Sequence, residues 1–171
     1  SIAARLPSTP MHHSGTLSQE LGMDVYLKLE NLQPTRSFKV RAALYTLSSL
    51  SPAERQRGVV TASTGNHGQG IAYVAQQLGM PACIVVPAYI HAERQALIAR
   101  WGAQVIAEGA HFEASCEVAD RVAAETGALH LRDGIDPRIM IGAATLGLDM
   151  IDAQPDLDVV IIPVGGGNLI A

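Results

Sequence analysis

Val59-Val60-Thr61, Cys83-Ile84-Val85-Val86 and Gln104-Val105-Ile106-Ala107 are short, β-branched runs, and each leads into a longer stretch at helical spacing: 71–78, 92–101 and 112–125. The helices are predicted to close at Gly79, Gly102 and Gly127, where a left-handed C-terminal residue is wanted, and each is expected to be followed soon by a strand candidate. Strands joined through helices run parallel with right-handed crossovers, so the pattern reads as α/β, a doubly wound parallel sheet.

Upstream of this block, Val25 to Glu30 alternates with a period of two and predicts a strand, and residues 31–34 supply turn chemistry. Ser37 is placed to cap a helix whose Val40, Ala43, Leu44, Leu47 and Leu50 recur on one face, with Ser51-Pro52 as its end. Downstream, a helix is expected over roughly Arg138 to Ala153. The apolar run from Asp158 to Pro163 then reads as a strand buried on both faces.

Composition narrows the class. Of 171 residues, 48% are hydrophobic and only 16% are Asp, Glu, Lys or Arg, which is enough apolar material for a core and too little like charge to keep the chain expanded. The formal net charge of -4 comes with no cluster of basic residues, so nucleic acid is not an expected partner. The most apolar segment, 159–171, is broken by Pro163 and three glycines and is too short for a bilayer, so no membrane association is expected. The two cysteines, Cys83 and Cys116, read as reduced thiols of a cytoplasmic protein. His12, His13, His91, His111 and His130 are too dispersed for a ligand set, so no metal is expected, and Asp149, Asp152, Asp156 and Asp158 read as solvated surface.

Ligands of open parallel sheets bind beyond the carboxyl ends of the strands, which directs attention to three segments. Gly165-Gly166-Gly167-Asn168 follows a predicted strand and lets backbone amides converge on an anion with no Cβ in the way; a tight turn is the plain alternative. It has neither the dinucleotide G-x-G-x-x-G spacing nor the G-K-[ST] ending of a nucleoside-triphosphate loop. Lys39 lies in the first turn of its helix, where the dipole disfavours the ammonium form, so it is either a nucleophilic amine or a solvated surface charge. Ser63-Thr64-Gly65-Asn66-His67-Gly68 crowds hydroxyls, an amide, an imidazole and backbone amides into one turn, either to hold a carboxylate or to cap the following helix.

Together these segments resemble the fold-type II pyridoxal-phosphate enzymes, in particular the threonine/serine dehydratase (ammonia-lyase) and serine racemase group. The resemblance rests on Lys28-Leu29-Glu30-Asn31-Leu32-Gln33, Ser37-Phe38-Lys39-Val40-Arg41, Ser63 to Gly70, Val85-Val86-Pro87 and Pro163 to Leu169, and it spans nearly the whole chain. It implies pyridoxal 5'-phosphate as cofactor, a small-molecule amino-acid substrate and, at full length, a homodimer. Lys39 would bind the cofactor covalently and then move the substrate's α proton, with Phe38 packed behind the cofactor ring and Asn66 on its phenolic oxygen. Ser63, Thr64, Gly65, Asn66 and His67 would surround the substrate carboxylate, and Gly165, Gly166, Gly167, Asn168 and Leu169 would cradle the phosphate.

With a hydroxyl on the substrate's Cβ, the implied reaction is loss of water to give a 2-oxo acid and ammonia. Racemisation ranks second, because the racemases of the group carry serine where this chain has Thr64, a stiffer side chain that keeps the hydroxyl. Three positions depart from the family pattern: Arg36 and Ala42 stand where glycine is usual, and Asn168 where many relatives have a fourth glycine. The resemblance further implies an N-terminal fragment: an incomplete large domain, 1–57 and 134–171, with a small mobile α/β domain inserted at 58–133. A non-catalytic binding module and an unrelated nucleotide binder are the competing readings; the second of these would have no use for Lys39.

Overall fold

A computed structural model describes residues 6–171; residues 1–5, the start of the expected large domain, lie outside the described residues. Four strands form a parallel sheet: β3 (Val59–Ala62), β4 (Ala82–Val86), β5 (Gln104–Ala107) and β6 (Leu129–His130), in the order β5-β4-β3-β6. Val60 is paired with Cys83 on one side and His130 on the other, and Ile84 with Val105. Helices α4 (Asn66–Leu78), α5 (Ala92–Ala99) and α6 (Phe112–Thr126) make the crossovers.

Alternation along β4 shows why both faces are covered. Ile84 and Val86 enter a core with Ile71 and Val74 of α4 and Ile98 of α5, while Cys83 and Val85 enter a second core with Val118 and Ala119 of α6. Four consecutive buried residues in β4 are the expected signature of a parallel strand between two helical layers. Ile84 is fully buried, and truncating such a side chain to alanine costs about 2–5 kcal/mol. The chain proceeds outward from β3 to β5 on one face and returns through α6 to place β6 on the other side of β3. The strand order therefore reverses at β3, and the crevice at such a reversal is where doubly wound sheets bind ligands.

The remaining elements support this crevice. Helix α2 (Lys39–Ser48) packs on both α4 and α7 (Pro137–Ala153). Its Val40, Leu44 and Leu47 share the core of α4 and α5. Two glycines permit the approach: a Cβ at Gly70 would stand 3.0 Å from the Lys39 carbonyl oxygen, and one at Gly142 would stand 2.6 Å from the Ala42 Cα. Gly79 and Gly127 close α4 and α6 in the left-handed conformation, as the spacing predicts. Helix α5 instead ends at Ala99, and Gly102, φ 78°, lies in the turn beyond it.

Several expectations need correction. The strand around 25–30 is β2 (Tyr26–Lys28), which pairs antiparallel with β1 (Met11–His13), with α1 (Gly15–Leu21) between them, and stands apart from the parallel sheet. Ser51 does not end α2; it caps α3 (Pro52–Arg57) through a reciprocal capping box with Glu54. Strand β6 is too short to announce itself by pattern. No strand forms over 158–163, where Val159 and Ile161 are 72% and 92% exposed. An apolar run becomes a buried strand only when neighbouring strands take its backbone groups, and none among the described residues does so here.

Candidate active site

The reversal of strand order brings the three predicted segments together. Beyond the end of β3, Ser63 is buried, and its hydroxyl oxygen accepts from the amides of Gly68 at 2.8 Å and Gly65 at 3.2 Å. Ser63 thus holds the loop and takes one amide at the start of α4, while the amides of Thr64, Asn66 and His67 have no partner among the described residues. Thr64 and Gly65 are half-buried and Asn66 is exposed. His67 is buried with both ring nitrogens unpartnered. Burial pushes its pKa down to about 4, against the opposing pull of Asp133, so the ring is neutral at neutral pH.

Lys39 opens α2 directly across from this loop. Ser37 lies one residue outside the cap position, held by Phe38, and its hydroxyl accepts from the Lys39 amide at 3.3 Å. The Lys39 ammonium stands 5.6 Å from the centre of the Phe38 ring and donates to both oxygens of Asp133, at 3.0 and 2.7 Å. Asp133, in the loop between β6 and α7, was not singled out by sequence; its position two residues before the Ile135-Asp136-Pro137 start of α7 was the available signal. The same carboxylate accepts from the Asn168 side chain and lies 3.9 Å from His67 Nδ1. One group thereby joins Lys39, the 63–68 loop and the glycine turn.

The glycine turn has the chemistry of an anion site. None of the amides of Gly165, Gly166, Gly167, Asn168 or Leu169 donates to another group among the described residues, and a Cβ at any of the three glycines would meet nothing within 4 Å. Gly167 holds φ at 88°. Asn168 is buried, with its Oδ1 unpartnered. Five free amides, an open cradle, a lysine over an aromatic ring and orphaned buried polar atoms fit a phosphorylated aldehyde such as pyridoxal phosphate.

A second polar cluster fixes the base of α2. Arg41, 3% exposed, donates to Glu30 at 2.8 and 2.9 Å and to Asp149 at 2.7 Å, while Lys28 donates to the Thr9 carbonyl at 2.8 Å and lies 3.6 Å from Asp149. Asp149 is therefore not solvated surface; α7 turns it inward against α2. Burial pushes the Glu30 carboxyl up, but hydrogen bonds from Arg41 and Thr9 outweigh it and leave the carboxyl below its ordinary range. Burial likewise works against the Arg41 charge, and the two carboxylates raise its pKa in spite of it.

Among the described residues no helix is long and apolar enough to cross a membrane, and no group of three or more His, Cys, Asp or Glu side chains is placed to hold a metal ion.

Comparison with known proteins identifies the family. The model of the family "Pyridoxal-phosphate dependent enzyme" matches residues 3–171. L-threonine ammonia-lyase of Thermotoga maritima is 45% identical over 163 residues, covering 95% of this chain and 41% of that protein. Catabolic L-threonine dehydratase of Escherichia coli K12 is 35% identical, covering 99% of this chain and 52% of that one. Among solved structures, maize serine racemase superposes with a TM-score of 0.95 at 31% identity, covering 99% of this chain and 51% of that one. The processed form of threonine deaminase isoform 2 from Solanum lycopersicum gives 0.94 at 33%, covering 99% and 47%. The chain spans about half the length of the curated relatives it matches. On fold, site chemistry and family match together, the chain belongs to the pyridoxal-phosphate dependent enzymes, in their fold-type II architecture.

Proposed function

We propose that this chain carries the reacting half of an ammonia-lyase that acts on threonine, serine or a related β-hydroxy amino acid. The observation that carries the reading is the convergence, through Asp133, of the Lys39 amine, the 63–68 loop and the glycine turn. Names of relatives support the substrate class: L-threonine ammonia-lyase and L-threonine dehydratase.

In this reading Lys39 holds the cofactor's aldehyde, Phe38 backs its ring, Asn66 faces its phenolic oxygen, and the amides of Gly165 to Leu169 take its phosphate. When bound, the cofactor supplies an electron sink that acidifies the substrate's Cα proton. The free Lys39 amine accepts that proton. The unpartnered amides of Thr64, Asn66 and His67 orient the substrate carboxylate, with the Ser63 and Thr64 hydroxyls and Gly65 completing the loop. A neutral His67 adds no charge there and can donate or accept through either nitrogen. Net, the β-hydroxyl and the α proton are lost, water replaces nitrogen, and a 2-oxo acid and ammonia leave.

The division into a large domain, 1–57 with 134–171, and a small mobile domain, 58–133, is part of the same proposal, with the α2–α4 seam at Lys39 and Gly70 as the meeting line. Cytoplasmic placement, supported by free Cys83 and Cys116, and homodimerisation of the complete protein belong to it as well. Likeness to a serine racemase favours one second reading, racemisation, which needs a proton donor at the Thr64 face.

Incubation with L-threonine and L-serine distinguishes the readings. Equal yields of ammonia and 2-oxo acid, lost in Lys39→Ala, support the lyase. Appearance of the D-amino acid without ammonia supports the racemase, and neither product supports a binding module.

A further inference from the structure

Asp133 has no part in the chemistry just described, yet its carboxylate lies 2.7 Å from the Lys39 nitrogen. Competing cations are occupied elsewhere. Arg132, its chain neighbour, donates twice to Asp120, and Arg138 is held by Asp136 at 2.6 Å. His67, the other titratable group that faces Asp133, is neutral at neutral pH. Among the described residues Lys39 is thus the one charged donor to Asp133, and the Asn168 amide is its neutral companion.

A nitrogen held by a carboxylate through two charge-assisted hydrogen bonds must leave that partner before its lone pair can reach a carbonyl carbon. Covalent attachment of an aldehyde requires Nζ to give up a proton to water. Its lone pair then bonds to the aldehyde carbon, and the carbonyl oxygen leaves as water with the two remaining nitrogen hydrogens. The attack on the aldehyde carbon is opposed while Asp133 grips Nζ through both oxygens.

We propose that Asp133 is a loading latch on Lys39: it holds the amine through both carboxylate oxygens, and through Asn168 to the glycine turn, until an aldehyde arrives, and so slows covalent loading. The proposal rests on the reading of Lys39 as the cofactor-binding amine. It goes beyond that reading by giving a carboxylate that holds neither phosphate nor substrate a defined effect on the reactive nitrogen.

The test uses the unloaded chain and acetic anhydride in limiting amount, with acetylation of Lys39 mapped by mass spectrometry against an amine peptide in the same tube. Asp133→Asn is expected to raise the rate at pH 7.5 at least threefold; Asp133→Glu, which keeps the carboxylate, stays within twofold of the parent. Asp133 is partly exposed in a loop, and Asp133→Ala carries the same expectation should the amide variant fold poorly. Equal rates in parent and neutral variants, or slower rates in the latter, overturn the latch.

A parallel experiment follows pyridoxal phosphate onto Lys39 by borohydride trapping, where the neutral variants are expected to load at least threefold faster. Acetylation that accelerates without any adduct on Lys39 in any variant upholds the latch and refutes the cofactor reading. Adducts that form at one rate in every variant uphold the cofactor reading and refute the latch.

Discussion

Gly142 of α7 faces the main chain of Ala42 in α2 so closely that a Cβ at position 142 would lie 2.6 Å from the Ala42 Cα and 2.9 Å from the Tyr45 Cβ. The obstacle is backbone, which cannot swing aside as a side chain does. Gly142→Ala is expected to lower stability by about 1–3 kcal/mol, the usual cost of overpacking, in spite of alanine's better helix propensity. Because the clash is with the main chain, Ala42→Gly in the same molecule is not expected to restore it. Urea denaturation checks both, and an unchanged Gly142→Ala midpoint would contradict the close packing of α7 on α2.

Arg36, one of the departures from the family's glycine, is the one non-glycine residue with positive φ among the described residues, at 57°. A side chain in the left-handed region costs about 1–2 kcal/mol, while glycine gives back about 0.5–1 kcal/mol through the freedom of the unfolded chain. Arg36→Gly is therefore expected to raise stability by about 0.5–1 kcal/mol. A lowered thermal midpoint would refute the strain.

The Arg41 cluster ties β2, α2 and α7 together at the base of the Lys39 helix. Removing the arginine leaves Glu30 without a cation and Asp149 with Lys28 alone at 3.6 Å, so Arg41→Met is expected to cost about 3–5 kcal/mol. Adding Glu30→Gln and Asp149→Asn should recover most of that loss. The Glu30 contribution is present above its ordinary pKa and is lost as pH falls through its lowered value, so acid unfolding of the parent should weaken in Glu30→Gln. Denaturation of the parent, Arg41→Met, Glu30→Gln and the triple variant at pH 7 and at acid pH measures this. A triple variant less stable than Arg41→Met would contradict it.

His67 gives a second pH signature of known sign. Its pKa is lowered from 6.5 to about 4 in the folded chain, so between those values the unfolded chain holds a proton that the folded chain does not. Stability from this group is full above about 6.5 and falls as pH drops toward 4, by about 3 kcal/mol in all. His67→Gln should remove that slope. Equal slopes in parent and variant would mean that the ring is not buried as described.

Much of this was legible in the chain. The parallel strands β3, β4 and β5 and their helices follow from β-branched runs separated by amphipathic stretches, because each strand is long enough to alternate or to be apolar throughout. Strand β6, with Leu129 and His130 alone, has no period to read, although its place beside β3 creates the crevice. The run at 158–163 misled for the opposite reason: its composition suits a buried strand, but pairing is decided by neighbours. In the site, Lys39, the 63–68 loop and the glycine turn each carry a local motif. Asp133 and Asp149 do not, since their roles come from which helix faces which, a relation set by Gly70 and Gly142 at long range.

The central claim is that Lys39 is the amine that takes the cofactor, and the chain suits a direct test because it has only two lysines, Lys39 and the largely buried Lys28. The measurement is incubation with pyridoxal phosphate, borohydride reduction and mass mapping, with Lys39→Ala alongside. The predicted result is a reduced adduct on Lys39 in the parent and none in the variant. An adduct confined to Lys28 or the amino terminus, or one that survives in Lys39→Ala at the same yield, would contradict the account.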